Sequence, residues 1–308
     1  MSLRFSPSDR VLVVAPHPDD ESIATGGLIL HARKAGAAIR ILFATNGDNN
    51  PWPQRWVEKR WRIGEEERQR WGMRRNSEAR NAVESLGLPG DAARFLHFPD
   101  QGITAKLLLD DREAIERLRG ELIDFAPTLL VLPSPFDLHP DHNGLYVLFQ
   151  LALRELPVPQ PRQLHFIVHC RRPELVPGRI DLHLSEEELA IKRNAILRHH
   201  TQMVLSEKRF LAYARPKETY YQAEPMRAAM DCHPVCDARL VRGALTLTVA
   251  LPPRRWKGAL LYFAIESESR GSLRWAMPLP FSNGKVLLRN TIDNTPVRHA
   301  TVRIVGRL

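Results

Sequence analysis

Two short segments of this 308-residue chain carry side chains able to hold a metal ion and move protons. The first is Ala15-Pro16-His17-Pro18-Asp19-Asp20-Glu21-Ser22, and the second is Pro133-Ser134-Pro135-Phe136-Asp137-Leu138-His139-Pro140-Asp141-His142. His17 and Asp20 are three apart, as are His139 and His142, so on a turn entering a helix each pair can face one way. Proline after His17 and after His139 fixes the local backbone. Imidazole and carboxylate groups are donors that a divalent ion takes, and three protein ligands with one open position make a hydrolytic centre. The two segments hold more such groups than one open site needs, which leaves a surplus to act as base and acid. A single His-Pro-Asp is compatible with a turn and a surface histidine; two of them, each behind an apolar strand, argue against that reading.

The elements that must position these residues follow from the hydrophobic pattern. Val11-Leu-Val-Val-Ala15 and Thr128-Leu-Leu-Val-Leu132 read as buried strands, each ending at one of the two segments. Ile39–Thr45 and Ala93–Phe98 add further strands. Helices are expected at Ser22–Ala35, Ser77–Leu86 (stopped by Gly87) and Arg112–Phe125, with a further strand at Leu164–Cys170. Ser185, with Glu188 three residues on, marks the start of a helix running to His200. Continuously apolar strands separated by helices predict an α/β fold, a Rossmann-like, mostly parallel sheet with helices on both faces. Ligands of such sheets sit beyond the carboxyl ends of the strands. From about Val235 five alternating segments (Gly243–Leu251, Ala259–Glu266, Leu273–Pro280, Lys285–Arg289 and Ala300–Val305) predict a small C-terminal antiparallel β domain. The expected division is residues 1–230 and 231–308.

His-Pro-Asp-Asp-Glu at 17–21 and His-Pro-Asp-His at 139–142 resemble the PIG-L/LmbE family of metal-dependent de-N-acetylases, which remove acetyl groups from N-acetylglucosaminyl conjugates. Weaker matches in the same order are Arg75-Asn-Ser-Glu78 with Ala82 and Leu86-Gly87, the Phe98-Pro99-Asp100-Gln-Gly102 turn, and Lys192–Gln202 with Ala195, His199 and Thr201. The resemblance covers about residues 10–205. It implies a zinc or ferrous ion on His17, Asp20 and His142, with Asp19 as general base. It further implies that a protonated His139 stabilises the oxyanion and feeds the departing amine, that Asp141 hydrogen-bonds the His139 ring, and that Arg75 and Asp100 grip the sugar. Arg74 is an alternative register for that arginine. Asn46-Gly-Asp48 either line the pocket or form a plain turn. The implied substrate is an N-acetylated glycoconjugate; a deacylase of non-sugar amides and a non-catalytic anionic-ligand binder on the same fold are the rival readings.

Composition narrows the rest. Three cysteines, Cys170, Cys232 and Cys236, are too few for a disulfide framework, and no run of about 18 apolar residues or cleavable leader is visible, so a reduced, cytoplasmic chain is expected. The net charge of +9 arises from 44 basic residues interleaved with 35 acidic ones, so no specific nucleic acid is expected as a partner. An anionic or lipid-linked substrate, peripheral membrane contact and a homo-oligomer are all compatible with it. Residues 51–75 form a helical insertion with Trp52, Trp56, Trp61 and Trp71 among eight basic residues. Its tryptophans either pack on the body or form a flap near the site. His199-His200 reads as a helix end whose charge complements the dipole. His165, His169 and His183 show no clustering, Cys232-His233 with Cys236 reads as a linker, and Arg254, Arg255 and Arg289 are candidates for contacting an anion.

Overall fold

The computed structural model describes residues 3–222, except 110, 155, 157–158, 171–172, 174–175 and 177, and beyond residue 222 the backbone of six strands. The chain opens with β1 (Arg10–Ala15), α1 (Asp20–Lys34), β2 (Ala38–Thr45), α2 (Pro51–Glu58), α3 (Glu65–Ser85) and β3 (Ala93–Phe98). It continues through α4 (Ile103–Leu108), α5 (Arg112–Phe125), β4 (Leu129–Pro133), α6 (Pro140–Arg154) and β5 (Arg162–Phe166). Then come β6 (Arg179–His183), α7 (Glu186–Leu197), α8 (His200–Leu211) and β7 (Lys217–Gln222).

These strands form one seven-stranded sheet in the order β3-β2-β1-β4-β5-β7-β6. The first five pair parallel, and β7 runs antiparallel to both β5 and β6. The expected mostly parallel sheet is therefore present, with an antiparallel margin. Residues along β1 alternate between two cores. Leu12 and Val14 face a cluster with Leu118, Leu122, Val147 and Leu148 from α5 and α6. Val11, Val13 and Ala15 face Leu28, Ile29, Ala79 and Val83 from α1 and α3. Because β2 and β4 flank β1, the crossovers leave β1 in opposite directions and open a crevice at the carboxyl ends of β1 and β4. Both His-Pro-Asp segments emerge there.

Several boundaries depart from the sequence reading. The helix expected at Ser77–Leu86 is the second half of α3, which begins at Glu65 and so absorbs part of the insertion. β5 ends at Phe166, short of Cys170. The capping box at Ser185 and Glu188 forms as expected.

A buried polar network locks α1 to the antiparallel margin. Glu218 of β7 accepts Gly27 N–H (2.7 Å), Leu28 N–H (3.0 Å) and the Tyr220 hydroxyl (2.6 Å), and pairs with Lys192 Nζ at 2.5 Å. Lys192 also donates to Ile23 O, and Tyr220 OH donates to Ala24 O. The three side chains thus engage both ends of two i→i+4 backbone pairs in one turn of α1. Gly27 is required there, since a Cβ would meet Leu184 at 2.7 Å and Glu218 at 2.9 Å.

The C-terminal strands are β8 (Val235–Val241), β9 (Ala244–Ala250), β10 (Leu260–Ser267), β11 (Gly271–Pro278), β12 (Lys285–Thr291) and β13 (Val297–Val305). They form two three-stranded antiparallel sheets, β11-β10-β13 and β12-β9-β8. The pattern at Val235–Val241, broken by Asp237 and Arg239, hid the sixth strand from the sequence reading. The side chains of Cys232, His233, Cys236, Arg254, Arg255 and Arg289 lie outside the described residues.

Candidate metal centre and its cavity

His17 leaves β1 and Asp20 opens α1, while His142 lies in the first turn of α6 behind β4. The β1–β4 pairing brings them together. His17 Nδ1 and His142 Nε2 each lie 3.3 Å from the same oxygen, Asp20 Oδ2. His142 Nε2 is buried and makes no hydrogen bond. Such an orphaned nitrogen is costly unless it donates its lone pair to something.

Carboxylates behind the rings aim those lone pairs. Asp137 Oδ2 lies 3.1 Å from His142 Nδ1 and also accepts Val168 N–H (2.8 Å) and His169 N–H (3.2 Å), while Oδ1 accepts His139 N–H. On the other ring, His17 Nε2 lies 3.2 Å from Asp141 and 3.3 Å from Asp100. Asp141 is held by Gln101 N–H and Ile103 N–H, and Asp100 by Asn49 N–H. Each histidine thus has a carboxylate on the nitrogen remote from Asp20, the arrangement that fixes the tautomer of a metal-ligating imidazole. Nitrogens of His17, His139 and His142 lie within 4.8 Å of one another, and so do ligand atoms of His17, Asp100 and Asp141. His17 is common to both groups. Asp100 and Asp141 lie against His17 Nε2, the ring nitrogen remote from Asp20, which suits them to support that ring. Two imidazole nitrogens and one carboxylate oxygen, backed in this way, fit a divalent ion such as zinc.

The electrostatics follow the same geometry. Burial pushes the His142 ring down, but Asp137 and Asp20 outweigh it and lift its pKa to about 10. The His17 ring, buried among Asp100, Asp141 and Asp20, is likewise raised. Burial drives the Asp19 carboxyl up to about 6 against the opposing pull of Arg75. Asp19 sits at φ 148°, a backbone state that L residues rarely adopt. Its N–H is held by Glu21 Oε2 at 3.0 Å, and Glu21 Oε1 in turn lies 2.7 Å from His199 Nε2.

Three expectations need correction here. The Asp141 carboxylate does not bond the His139 ring: it faces His17, and it is the backbone N–H of Asp141 that donates to His139 Nδ1 at 3.2 Å. The helix start of α6 turns that side chain toward the 101–103 loop. Nor does the site favour a protonated His139: burial, and the neighbouring His17 and His142 rings, push its pKa down to about 2. A cation nearby would act in the same direction. With Nδ1 occupied as an acceptor, the ring proton of neutral His139 belongs on Nε2. His199 does stand at a helix end, as the N-cap of α8, but its ring is buried on Glu21 and does not serve as a charge complementing a helix dipole.

These groups floor a cavity of about 260 Å³ whose walls include Asn50, Pro53, Arg75, Asp100, Gln202 and Phe210. Arg75 rather than Arg74 is the inward arginine; Arg74 is half exposed and pairs with Glu78. The Arg75 guanidinium is committed to Pro18 O (2.6 Å), Asp19 Oδ2 (3.0 Å) and Gly47 O. Arg75 and Asp100 therefore line the cavity while fastening Asp19 and His17. Asn46-Gly-Asp48 is irregular backbone outside the cavity wall, with Gly47 at φ 61° presenting its carbonyl to Arg75.

Sequence reasoning missed Asp137 and His169. Asp137 stood in the second segment without a role. His169 lies 5.3 Å from the His142 ring and 5.4 Å from the His139 ring and lines the cavity. The signal that could have found it is positional, since it follows β5, the strand beside β4.

Comparison with known proteins agrees with this geometry. Residues 12–153 match the family described as PIG-L, GlcNAc-PI de-N-acetylase. The chain is 29% identical over 201 residues to a probable N-acetyl-alpha-D-glucosaminyl L-malate deacetylase 2 of Bacillus subtilis, covering 63% of this chain and 83% of that one. It is 31% identical over 147 residues to a 1D-myo-inositol 2-acetamido-2-deoxy-alpha-D-glucopyranoside deacetylase of Mycobacterium sp. strain KMS, covering 43% of this chain and 46% of that one. The match thus spans about half the length of the mycobacterial relative. Among solved structures, a 4-carboxy-2-hydroxymuconate hydratase of Pseudomonas putida KT2440 superposes with a TM-score of 0.52 at 18% identity, covering 74% of this chain and 98% of that one. The likeness is one of fold, and it shows that the fold also carries a reaction other than deacetylation, so the reaction has to be argued from the site. Both His-Pro-Asp segments and the Asp100 turn fall inside residues 12–153, the stretch of this chain that matches the PIG-L family.

Proposed function

We propose that this protein is a metal-dependent deacetylase that hydrolyses the acetamide of an N-acetylglucosamine-type conjugate to acetate and a free amine. The observation that carries the reading is the convergence of His17 Nδ1 and the orphaned His142 Nε2 on Asp20 Oδ2 at the floor of a cavity. Names of the relatives point to the acetamido sugar as the group hydrolysed. His17, Asp20 and His142 would hold the ion, zinc or ferrous iron. When bound, such an ion supplies Lewis acidity that makes water acidic near neutral pH.

The chain's own residues do the rest. Asp19, kept basic by burial and oriented by Arg75, takes the proton of the attacking water. The resulting carboxylic acid returns that proton to the amine nitrogen as the C–N bond breaks. His139, neutral and fixed by Asp141 N–H, donates from Nε2 to the developing oxyanion. Asp141, with Asp100, orients His17 rather than His139. Residues 1–230 constitute the catalytic domain in this reading, and 231–308 an accessory β domain.

Primary-amine release from a panel of N-acetylglucosaminyl conjugates, using chelator-stripped protein with and without added zinc or ferrous iron, tests the reading. Asp19→Asn should lower kcat by at least about a thousandfold while binding metal normally. Metal binding without amine release from any conjugate would move the reaction to a non-sugar amide. Loss of both would remove the enzyme reading.

A further inference from the structure

Above the metal floor the insertion contributes Pro53 of α2 and Arg75 of α3 to the cavity wall. Trp52, Trp56 and Trp61 are exposed and lie outside that wall, so the expectation that the tryptophans pack on the body holds for Trp71 alone. A second stretch of wall comes from α8 and the turn that follows it, with Gln202, Ser206, Arg209, Phe210 and Tyr213.

α8 is broken at Ser206, whose extended backbone (φ −168°, ψ 85°) leaves its Oγ to accept Arg209 N–H at 3.3 Å. That is the bond of an N-cap serine to the third residue of a new helical turn. Counted from this fresh start, residues 206, 209, 210 and 213 fall on one face, the face turned to the cavity, while Glu207 and Lys208 fall on others.

Two side chains of this face bring donors that the chemistry above leaves unused. The cations in the wall are Arg75 and Arg209. Arg75 is taken up by Pro18 O, Asp19 Oδ2 and Gly47 O. The Arg209 guanidinium has neither a carboxylate nor a carbonyl within bonding distance among the described residues. The floor carboxylates Asp19, Asp20 and Asp100 are already paired, with Arg75, His142 and His17. A charge that only complemented the end of α8 would be served equally by Lys208, which stands in the same last turn but outside the wall. Four residues on, the Tyr213 hydroxyl likewise makes no hydrogen bond among the described residues. Burial lifts this phenol above its ordinary pKa, Arg209 pulls against that, and Asp20 and Asp19 add to it. The phenol thus senses both the guanidinium and the floor, and it keeps its proton at neutral pH.

A planar guanidinium beside a neutral phenol, each without an acceptor of its own, suits an oxyanion, because the fork of N–H groups takes two oxygens side by side. Sugar hydroxyls alone would leave the guanidinium charge unmatched. We propose that Arg209 and Tyr213 form a receptor for an anionic group, a carboxylate or a phosphate, carried by the molecule whose acetamide reaches the metal floor. The assignment rests on the proposed deacetylation and names the class of conjugate it acts on.

The test measures amine release by zinc-loaded protein from carboxymethyl N-acetyl-α-D-glucosaminide, from its uncharged methyl ester and from N-acetyl-α-D-glucosamine 1-phosphate. Wild type should favour at least one acid over the ester. Arg209→Gln should lower that ratio of kcat/KM about tenfold, with Arg209→Lys keeping part of it and Tyr213→Phe lowering it in the same direction. The acid that loses more in Arg209→Gln identifies the oxyanion. No preference for either acid in wild type overturns the receptor, and so does a preference that survives Arg209→Gln, which would place the acid on the metal instead. If none of the three is turned over, calorimetric binding of acid and ester to the same zinc-loaded proteins separates the two proposals. Acid binding that needs Arg209 keeps the receptor and sinks the deacetylase reading for these sugars. Acid binding that is absent, or that Arg209→Gln leaves unchanged, overturns the receptor.

Discussion

Asp137→Asn separates the supporting carboxylate from the ligand it serves. Asp137 Oδ2 faces three donors, the His142 ring and the N–H groups of Val168 and His169, whereas Oδ1 faces only His139 N–H. The asparagine oxygen should therefore take the Oδ2 position, leaving its NH₂ against His139 N–H. One hydrogen bond is lost at a buried site, a destabilisation of about 1–3 kcal/mol. Loss of the negative charge also weakens His142 as a donor, and supporting groups of this kind are worth roughly 10–100-fold in metal affinity, or about 1.4–2.7 kcal/mol. Competition against a chromophoric chelator reads the affinity, urea unfolding reads the stability, and amine release at limiting and saturating metal reads the chemistry. Turnover should collapse at limiting metal and largely recover at saturation. A folded variant that binds metal within about twofold of wild type would refute the claim that Asp137 aims His142.

Other consequences can be checked independently. Lys192→Met leaves the Glu218 charge buried without its cation and should cost about 3–5 kcal/mol in urea unfolding, while adding Glu218→Gln should recover part of that loss; a cost below about 1 kcal/mol would mean the pair is not charged in the folded protein. In the metal-free protein His17 and His142 have raised pKa values, so protons occupy them below those values and compete with the ion. Metal affinity should accordingly climb as pH rises above neutrality, with proton release visible by calorimetry in buffers of different ionisation heat; binding without proton release contradicts this. Gly47→Ala would place a methyl group on the Arg75 guanidinium at a positive φ, loosening Asp19, and should lower kcat at least about tenfold with metal affinity little changed.

The parts of this molecule legible in its sequence are those whose signal is local. The apolar runs Val11–Ala15 and Leu129–Leu132 are continuous because both faces of the sheet are covered, and the ligand-bearing loops follow them directly. Asp19, Asp20, His17, His139 and His142 were identifiable for that reason. What escaped is set by partners distant in the chain. β7, Lys-Glu-Thr-Tyr-Tyr-Gln, reads as polar because the partner of Glu218 is Lys192 and its backbone donors are in α1, 190 and 191 residues away. That the ring of His199, at the start of α8, is buried on Glu21 escaped because Glu21 is 178 residues from it. The Asp141 carboxylate was placed on His139 by proximity in sequence, whereas the fold offered it His17, 124 residues earlier.

Those long spans impose an order on synthesis. As the chain emerges from the ribosome, β1 and α1 appear first, yet the turn of α1 at Ile23–Leu28 acquires its buried partners only when Glu218 and Tyr220 have been made. Asp19 waits likewise for Glu21 to meet His199. A nascent chain halted after residue 153, where the family match ends, would already contain every proposed metal ligand and the base but would lack what holds them in register. The early βα unit therefore lacks these buried partners until β7, which ends at Gln222, has been made, and until then it is open to mispairing.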